Sequence, residues 1–333
     1  MAQIAVMGAG SWGTAFALVL ADAGNEVRMW GRRKEVCDTI NSAHQNVEYL
    51  PGIELSDAIS ATPDPVQALA GAELVVLAVP SQQLRENLES WSEHIPGDAV
   101  LVSLMKGVEL GTHKRMSEVI AEITGAGPER IAVVSGPNLA REIAQREPAA
   151  SVVACEVESV AERVQELCHT QAFRPYTNTD VIGCELAGTT KNVIGLAVGV
   201  AVGLGYGDNC KASIITRGLA EGARLGTAIG ADPATFMGLA GMGDLVATCS
   251  SPLSRNRTFG EKLGRGMSVE EVTSETRQVA EGVKSCRSVS ELAKIHGVEM
   301  PIVEHVAALI AGTMSPAALV DALISRKAKP ENV

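Results

Sequence analysis

The sequence lacks the cysteine patterns that mark disulfide scaffolds and metal centres. Its seven cysteines are scattered, none forms a Cys-x-x-Cys pair, and no cysteine and histidine stand at metal-ligand spacing. We therefore expect reduced thiols, no metal site and a cytoplasmic location. The cysteines are Cys37, Cys155, Cys168, Cys184, Cys210, Cys249 and Cys286.

The chain also lacks an excess of positive charge and an apolar run of membrane-spanning length. It carries 28 lysines and arginines against 39 aspartates and glutamates, a net charge of -11, which disfavours a nucleic-acid partner. Its most membrane-like stretch, Val193–Gly207, is shorter than the ~20 apolar residues that cross a bilayer, and it predicts a buried helix. No basic leader precedes the first apolar segment, so we expect neither a signal peptide nor integral membrane association.

The chain is long enough for two domains, and its pattern changes near residue 180. It has 333 residues, 46% of them hydrophobic, which exceeds the roughly 250–300 residues that one core supports. Apolar runs first alternate with helical patterns, as in βαβ units with a parallel sheet, and only helices follow. We expect a doubly wound, Rossmann-like α/β domain in residues 1–184 and an all-α domain in residues 185–333. The predicted strands are Gln3–Met7, Glu26–Trp30, Leu74–Val79, Val100–Leu104, Ile131–Val134 and Ser151–Ala154.

A glycine-rich turn follows the first predicted strand. The segment GAGSWG fits G-x-G-x-x-G between a strand and a helix. In that context Gly8 permits a tight turn, Gly10 lets the backbone approach a pyrophosphate, and Gly13 lets the helix pack closely. The phosphate would lie at the N-terminus of the helix that starts at Ser11, with Trp12 beside the dinucleotide. The alternatives are a chance glycine-rich turn and a Trp12 that belongs to the core.

Two arginines stand where the second predicted strand ends. An NAD site usually has Asp or Glu about 20 residues after the glycines, bonded to the ribose 2′-hydroxyl. Here Arg32 and Arg33 occupy that place, and two guanidiniums suit a 2′-phosphate by charge and by forked hydrogen bonds. We therefore expect NADPH as the preferred cofactor, with NADH possible. A solvated surface pair is the alternative.

Three later strand ends carry residues suited to ligands, which in open α/β sheets lie beyond the carboxyl ends of the strands. Pro80 follows one predicted strand, and Lys106 follows the next, where its ammonium would hold an anion. After a third strand, the turn Gly136-Pro137-Asn138 would present N–H groups. A solvated lysine and an ordinary strand-to-helix turn are the alternatives.

The all-α part contributes further polar residues. Lys191 is expected to open a nearly uncharged helix, where a buried ammonium needs a partner. Asn192 beside it would donate to a substrate oxygen, and Asp244 shares a helix face with Thr248 if a helix begins there. The alternatives are a lysine that snorkels at a helix end, a capping Asn192, and an Asp244 that is only an N-cap.

A polar cluster follows a proline-containing turn at residues 254–257. Ser254, Arg255 and Asn256 offer a hydroxyl, a guanidinium and an amide in succession, which suits a phosphate. A solvated basic turn is the alternative. The cluster would complete a cationic crevice that draws in an anionic substrate. Its expected members are Arg32, Arg33, Lys106, Lys191 and Arg255.

In their order along the chain, these motifs resemble those of the bacterial NAD(P)-dependent glycerol-3-phosphate dehydrogenases. The resemblance covers nearly the whole chain. It implies reversible reduction of dihydroxyacetone phosphate to sn-glycerol 3-phosphate, which starts glycerophospholipid synthesis. The matching segments are GAGSWGTA at 8–15, GRR at 31–33, AVPSQ at 78–82, KG at 106–107, SGPNLAREIA at 135–144, ELAGTTKNVIGLAVGV at 185–200, GLAGMGDLVATC at 238–249, SRNRTFG at 254–260 and VAEGV at 279–283.

The resemblance also implies roles for the matching residues. Lys191 would be the general acid/base, oriented by Asp244 and Lys106, which act in opposite directions on its charge. The family commonly has Ser or Thr where this chain has Asn138, whose amide can still donate. Substrate contacts are implied for Lys106, Gly136, Asn138, Lys191, Asp244, Ser254, Arg255 and Asn256. Cofactor contacts are implied for Ser11, Trp12, Arg32, Arg33, Lys106, Ala140, Arg255, Val279 and Glu281.

Other functions share parts of this layout. Ketopantoate reductases and 3-hydroxy acid dehydrogenases also join a glycine-turn domain to helices, but their carboxylate substrates give the cluster at 254–257 no role. A redox sensor that binds NADPH would need no second anion site. For assembly, we expect a homodimer formed through the helical domain.

Overall fold

The first half of the chain forms one twisted sheet with helices on both faces, and the second half is helical. The computed structural model describes residues 2–275 and 280–325. The strands are β1 (Gln3–Met7), β2 (Glu26–Trp30), β3 (Ile59–Thr62), β4 (Leu74–Leu77), β5 (Val100–Ser103), β6 (Ile131–Ser135), β7 (Ala149–Ala154) and β8 (Phe173–Asn178). The helices are α1 (Ser11–Asp22), α2 (Lys34–Ala43), α3 (Pro65–Leu69), α4 (Leu84–Trp91), α5 (Met116–Thr124), α6 (Ala140–Ala144), α7 (Glu158–Cys168), α8 (Val181–Gly203), α9 (Asp208–Ile229), α10 (Pro233–Met237), α11 (Asp244–Ser250), α12 (Arg255–Gly264), α13 (Val269–Glu275), α14 (Glu281–Ile295), α15 (Pro301–Ile310) and α16 (Pro316–Ile324).

The sheet has the strand order β3-β2-β1-β4-β5-β6-β7-β8. Side chains alternate between its two faces, so Ile4 and Val6 of β1 join a core with α1, α2, α6 and α7, whereas Ala5 and Met7 join a core with α3, α4 and α5. The strand order reverses between β1 and β4, and ligands bind beyond the carboxyl ends of the strands at such a point. The predicted Rossmann-like doubly wound domain is confirmed.

The prediction of a wholly parallel sheet was wrong at one pair, because β7 runs antiparallel to β6. A parallel return must retrace the length of β6, about 16 Å for five residues. The intervening helix α6 has only five residues, which rise about 8 Å. The chain therefore turns back beside β6. The sequence patterns also missed the edge strands β3 and β8, whereas the six predicted strands are present with ends shifted by at most two residues.

Helix α8 is the centre of the helical domain. It is long and apolar enough to cross a membrane by length and composition, but most of it is buried in the second hydrophobic core. The side chain of Asp180 caps its start by accepting from the N–H of Gly183 at 2.8 Å. The expectation that Lys191 opens this helix was wrong: the capped apolar turns from Val181 onward place Lys191 in its middle. The helix ends at Gly203, short of the predicted Gly207.

Candidate active site

The glycine turn between β1 and α1 has the shape that a dinucleotide phosphate requires. Gly8 has a φ of +138°, and a Cβ there would lie 2.5 Å from the carbonyl oxygen of Ala78. A Cβ at Gly13 would collide with the carbonyl of Gly8, whereas no atom lies within 4 Å of the Cβ position at Gly10. Gly10 caps α1 without a side-chain hydrogen bond, so N–H groups of the first turn are available to a phosphate. These residues fit the pyrophosphate of a dinucleotide.

The neighbours of this turn are held by hydrogen bonds and ring packing. Ser11 Oγ donates to the carbonyl of Tyr49 at 2.7 Å. The ring of Trp12 lies 5.5 Å from that of Phe16, so it packs on the core, yet its buried Nε1 has no hydrogen-bond partner in the described part of the chain. Both interpretations of Trp12 therefore have structural support: its ring contacts the core, and its N–H is left for a ligand.

Arg32 and Arg33 follow β2, as predicted, but they differ in their partners. Arg33 Nη2 lies 2.6 Å from Glu48 Oε2 and donates to Tyr49 Oη at 3.1 Å. The hydrogen bond that Arg33 donates to Glu48 is the main cause of the raised pKa of Arg33. Arg32 is exposed and makes no ion pair within residues 2–275 and 280–325. One guanidinium is thus available to an incoming anion and the other is already paired.

A buried polar cluster joins two lysines through one carboxylate. Asp244 is only 2% exposed, and its Oδ2 accepts from Lys106 Nζ at 2.5 Å while its Oδ1 lies 3.0 Å from Lys191 Nζ. Lys191 also donates to Thr248 Oγ1 at 2.7 Å, and Lys106 to the carbonyl of Gly136 at 3.0 Å. Asp244 and Thr248 do share one face of α11, as the spacing predicted. The cluster brings β5, β6, α8 and α11 together.

The environment of Lys106 shifts its pKa. Burial lowers the pKa of Lys106 from 10.5 to about 8, Asp244 acts against this change, and the like charge of Lys191 adds to it. Gly188 of α8 provides space for the stem of Lys106, since a Cβ there would meet the Lys106 methylenes at 3.4 Å and Ser135 Oγ at 2.8 Å. A buried amine that titrates this close to neutrality is typical of functional sites.

The turn after β6 lies beside this cluster. Gly136 has a φ of +144°, and a Cβ there would lie 2.9 Å from Ser151 Oγ. Ser151 Oγ donates to the carbonyl of Ser135 at 2.8 Å and lies 3.2 Å from Asn138 Oδ1, while Asn138 Nδ2 is buried and without a partner in the described residues. Because buried amide N–H groups are nearly always bonded, this unpartnered donor is consistent with a ligand at Asn138, and the predicted substrate contact stays a prediction.

The polar cluster at 254–257 begins α12 rather than forming a free turn. Ser254 Oγ caps the helix by accepting from the N–H of Arg257 at 3.3 Å. Asn256 Nδ2 donates to Asn192 Oδ1 at 2.8 Å, and its Oδ1 accepts from the N–H of Gly282 at 3.0 Å. Asn192 lies inside α8 and is therefore not a cap. The start of α12 is thus joined to α8 and α14.

The remaining predicted cofactor residues lie at two places. Pro80 follows β4, and Ala140 opens α6 next to the first core. Glu281 opens α14, and its Oε2 accepts from Ser81 Oγ at 2.7 Å. Burial raises the pKa of Glu281, while Ser81 and the charge of Arg255 lower it. The predicted residue Val279 lies outside the described residues.

The expected cationic crevice is less positive than predicted, because carboxylates accompany most of its cations. Lys106 and Lys191 share Asp244, and Arg33 is paired with Glu48. Arg255 is in turn attracted by the charge of Glu281. An anionic ligand therefore meets polarised, partly neutralised groups at these positions, and Arg32 is the cation that remains exposed without an ion pair in the described part of the chain.

Sequence reasoning missed the interdomain loop, residues 104–115, which joins β5 to α5. Besides Lys106, it sends Val108 into the core of the helical domain, where this side chain is fully buried. His113 Nε2 lies 2.9 Å from Glu291 Oε2. At its end, Arg115 Nη1 lies 2.7 Å from the buried Glu185 of α8. One feature of the sequence could have indicated the contact with Arg115, because Glu185 is a lone carboxylate in an apolar stretch.

Comparison with known proteins identifies the family. Residues 3–161 match the model of the NAD-dependent glycerol-3-phosphate dehydrogenase N-terminus, and residues 180–321 match that of its C-terminus. The chain belongs to the NAD-dependent glycerol-3-phosphate dehydrogenase family. The expected resemblance is confirmed.

Members of this glycerol-3-phosphate dehydrogenase family are similar over their whole length. Glycerol-3-phosphate dehydrogenase (NAD(P)+) of Streptomyces griseus is 64% identical over 329 residues, which are 99% of this chain and 98% of that protein. The enzyme of the same name from Thermobifida fusca is 62% identical over 332 residues, 99% of each chain. The crystal structure of glycerol-3-phosphate dehydrogenase from Coxiella burnetii superimposes with a TM-score of 0.93 at 37% identity, covering 98% of this chain and 99% of that one.

Proposed function

We propose that this chain catalyses the reversible reduction of dihydroxyacetone phosphate to sn-glycerol 3-phosphate with NADPH or NADH, and so supplies glycerophospholipid synthesis. The family relationship supports the reaction and the cofactor class. The observation that carries the proposal is the bridge from Lys191 through Asp244 to Lys106. This bridge places proton-donating groups at the carboxyl edge of the sheet, where the dinucleotide turn also lies.

The two halves of the chain would divide this work. Residues 1–184 would hold the dinucleotide through Gly8, Gly10, Gly13 and the arginines after β2. Residues 185–333 would supply the general acid and the phosphate site. The boundary between them lies in the first turns of α8, which begins at Val181.

Lys191 is the proposed proton donor to the C2 oxygen of the substrate. Bound NADPH supplies the hydride in this reaction. Of the three N–H donors of the Lys191 ammonium, one is directed to Asp244 at 3.0 Å and one to Thr248 at 2.7 Å. The third is left for the substrate. Lys106 likewise donates to Asp244 and to the carbonyl of Gly136, which leaves one donor for a substrate oxygen.

The start of α12 is the proposed phosphate site. Free N–H groups and the positive end of a ten-residue helix attract anions, and Arg255 adds a guanidinium. Asn256 and Asn192 tie this helix start to α8, one residue from Lys191. Binding energy gained at the phosphate would therefore position the carbonyl at the proton donor.

Turnover measurements with matched lysine variants test the proposal. Wild-type protein should oxidise NADPH with dihydroxyacetone phosphate but not with ketopantoate. Lys191→Ala should lower kcat by about 10²–10⁴-fold, the usual contribution of general acid catalysis, while NADPH binding measured by fluorescence stays unchanged. Lys211→Ala, on a lysine that is paired with Asp208 of its own helix, is the control. Near wild-type turnover of Lys191→Ala would end the assignment.

We also propose a cytoplasmic homodimer. All seven cysteines are free thiols, which suits a reducing compartment. Exposed apolar side chains on the helical domain, among them Met237, Val246 and Leu253, support a face that a second copy would cover. Light scattering after size-exclusion chromatography should give twice the chain mass, and a monomer mass would reject the dimer.

A further inference from the structure

A short segment after α2 forms a wall of the dinucleotide turn. Asn46 is 1% exposed, and its Nδ2 donates to the carbonyl of Ala9 at 2.9 Å and to Thr14 Oγ1 at 2.8 Å. Its Oδ1 accepts from the N–H of Tyr49 at 3.3 Å. The carbonyl of Tyr49 in turn accepts from Ser11 Oγ at 2.7 Å. The segment 46–49 is therefore fixed to the turn that would hold the pyrophosphate.

This attachment brings Glu48 to the end of β2. Its carboxylate lies 2.6 Å from Arg33 Nη2, and the ring of Tyr49 lies 5.5 Å from the Arg33 guanidinium. The side chains of Arg33 and Glu48 are 43% and 25% exposed, so solvent and ligands can reach the pair. The carboxyl end of β2 carries no acidic residue of its own. The carboxylate beside it comes from the separate segment 46–49.

We propose that Glu48 is a specificity-determining residue that reduces the preference of the enzyme for NADPH over NADH. The inference rests on the proposed function, in which Arg32 and Arg33 face the 2′ position of the adenosine ribose. Carboxylate and phosphate both bind guanidinium through forked hydrogen bonds, so a 2′-phosphate must compete with Glu48 for Arg33. It is also repelled by the carboxylate.

The same carboxylate suits the unphosphorylated cofactor. In NAD sites an acidic side chain accepts a hydrogen bond from the ribose 2′-hydroxyl. Glu48 can take that role, since one of its oxygens bonds Arg33 and the other can accept from a hydroxyl. Arg32, with no ion pair in the described part of the chain, keeps a cation for the 2′-phosphate. The pair of arginines and the glutamate together would admit both cofactors.

Binding of adenosine fragments isolates this effect from catalysis. We expect Glu48→Gln to bind 2′,5′-ADP about three- to tenfold more tightly than wild type, a gain in line with the removal of one exposed charge next to a phosphate. Affinity for 5′-ADP should stay the same or fall. Calorimetry gives both values, and the ratio of NADPH to NADH affinity should rise by at least the same factor. The gain should shrink at about 0.5 M salt, where exposed charges are screened.

Three further single variants and one double variant make the outcome decisive. Glu35→Gln removes a negative charge from the first turn of α2 outside the pair, and should change the ratio by less than about twofold. Arg33→Gln should weaken 2′,5′-ADP but not 5′-ADP, and in the double variant Glu48→Gln should keep only the part of its gain that comes from removing the repulsion of the phosphate. If Arg33→Gln behaves so but Glu48→Gln leaves the ratio unchanged, the inference is overturned and the arginine assignment stands. If neither Arg33→Gln nor Arg32→Gln changes 2′,5′-ADP binding, the inference about Glu48 and the assignment of the arginines to the 2′-phosphate are both wrong.

Discussion

The lowered pKa of Lys106 predicts how the stability of the protein changes with pH. Burial moves this pKa from 10.5 to about 8, whereas the unfolded chain keeps the ordinary value. Below pH 8 both states are protonated, and the folded state carries the cost of the buried ammonium, ~3 kcal/mol for a pKa difference of this size. Between pH 8 and 10.5 the unfolded state binds more protons, so the free energy of unfolding rises with pH.

Lys106→Met removes this titration and keeps most of the aliphatic stem. The remaining Lys191 still lies 3.0 Å from Asp244, so the carboxylate is not left without a partner. From about pH 7 to pH 9.5, the wild type should gain about 2 kcal/mol of unfolding free energy relative to the variant. This gain is smaller than the full ~3 kcal/mol because Lys106 of the unfolded chain is still mostly protonated at pH 9.5.

Urea unfolding followed by circular dichroism and tryptophan fluorescence measures this difference. Both proteins are unfolded without cofactor in matched buffers at several pH values. Lys211→Met, on a lysine paired with Asp208 of the same helix, is the matched control for the removal of a lysine. A constant or falling difference for Lys106→Met would refute the assignment of a lowered pKa to Lys106.

Three more substitutions test the supports of the site. Glu185→Gln removes the 2.7 Å ion pair of Arg115, which keeps its pair with Glu118, and should lower the free energy of unfolding by about 1–3 kcal/mol in denaturant titrations, with cofactor affinity unchanged; a loss below about 0.5 kcal/mol would show that the pair is dispensable. Gly136→Ala forces a side chain onto a φ of +144° and should lower the free energy of unfolding by about 1–3 kcal/mol. It should also weaken substrate binding, because Lys106 donates to the carbonyl of Gly136, and an unchanged KM would contradict this effect on binding. Asn46→Ala leaves the carbonyl of Ala9 and the hydroxyl of Thr14 without this donor and should weaken both NADPH and NADH in fluorescence titrations, NADH more strongly because the segment that holds Glu48 beside Arg33 is loosened; unchanged affinity for both cofactors would contradict this role of Asn46.

The fold was predictable where local pattern and burial agree. β1 and β4 are buried apolar runs with the length of strands, and their carboxyl ends carry glycine or proline, so both were found. β3 has only four residues, two of them Ser60 and Thr62, and lies at the edge of the sheet. β8 contains Pro175, which an edge strand tolerates because no neighbour needs its N–H. In edge strands of this kind, the alternation of apolar and polar residues is too weak to predict a strand from the sequence.

The site was predictable in its members but not in its connections. Lys106, Lys191 and Asp244 were selected one by one from strand ends and from buried charge, and the structure joins them through two short contacts. The predicted position of Lys191 at the start of α8 was wrong. The uncharged pattern is clearest after Lys191, whereas the helix begins at Val181, after the cap at Asp180. The pairing of Arg33 with Glu48 depends on how the segment 46–49 folds back, which no local period encodes.

The interdomain loop limits how the two halves of the chain can be exchanged between family members. Its residues are encoded with the first domain, but Lys106, His113 and Arg115 find their partners on α11, α14 and α8. A recombinant that joins the first half of one family member to the second half of a distant one would separate each of these residues from its own partner. Each half alone would retain a hydrophobic core, but the first half would hold Lys106 without Asp244, and the second would hold Lys191 and Asp244 without the second lysine. The two halves can therefore be exchanged only where these contacts are kept, although the architecture divides into two.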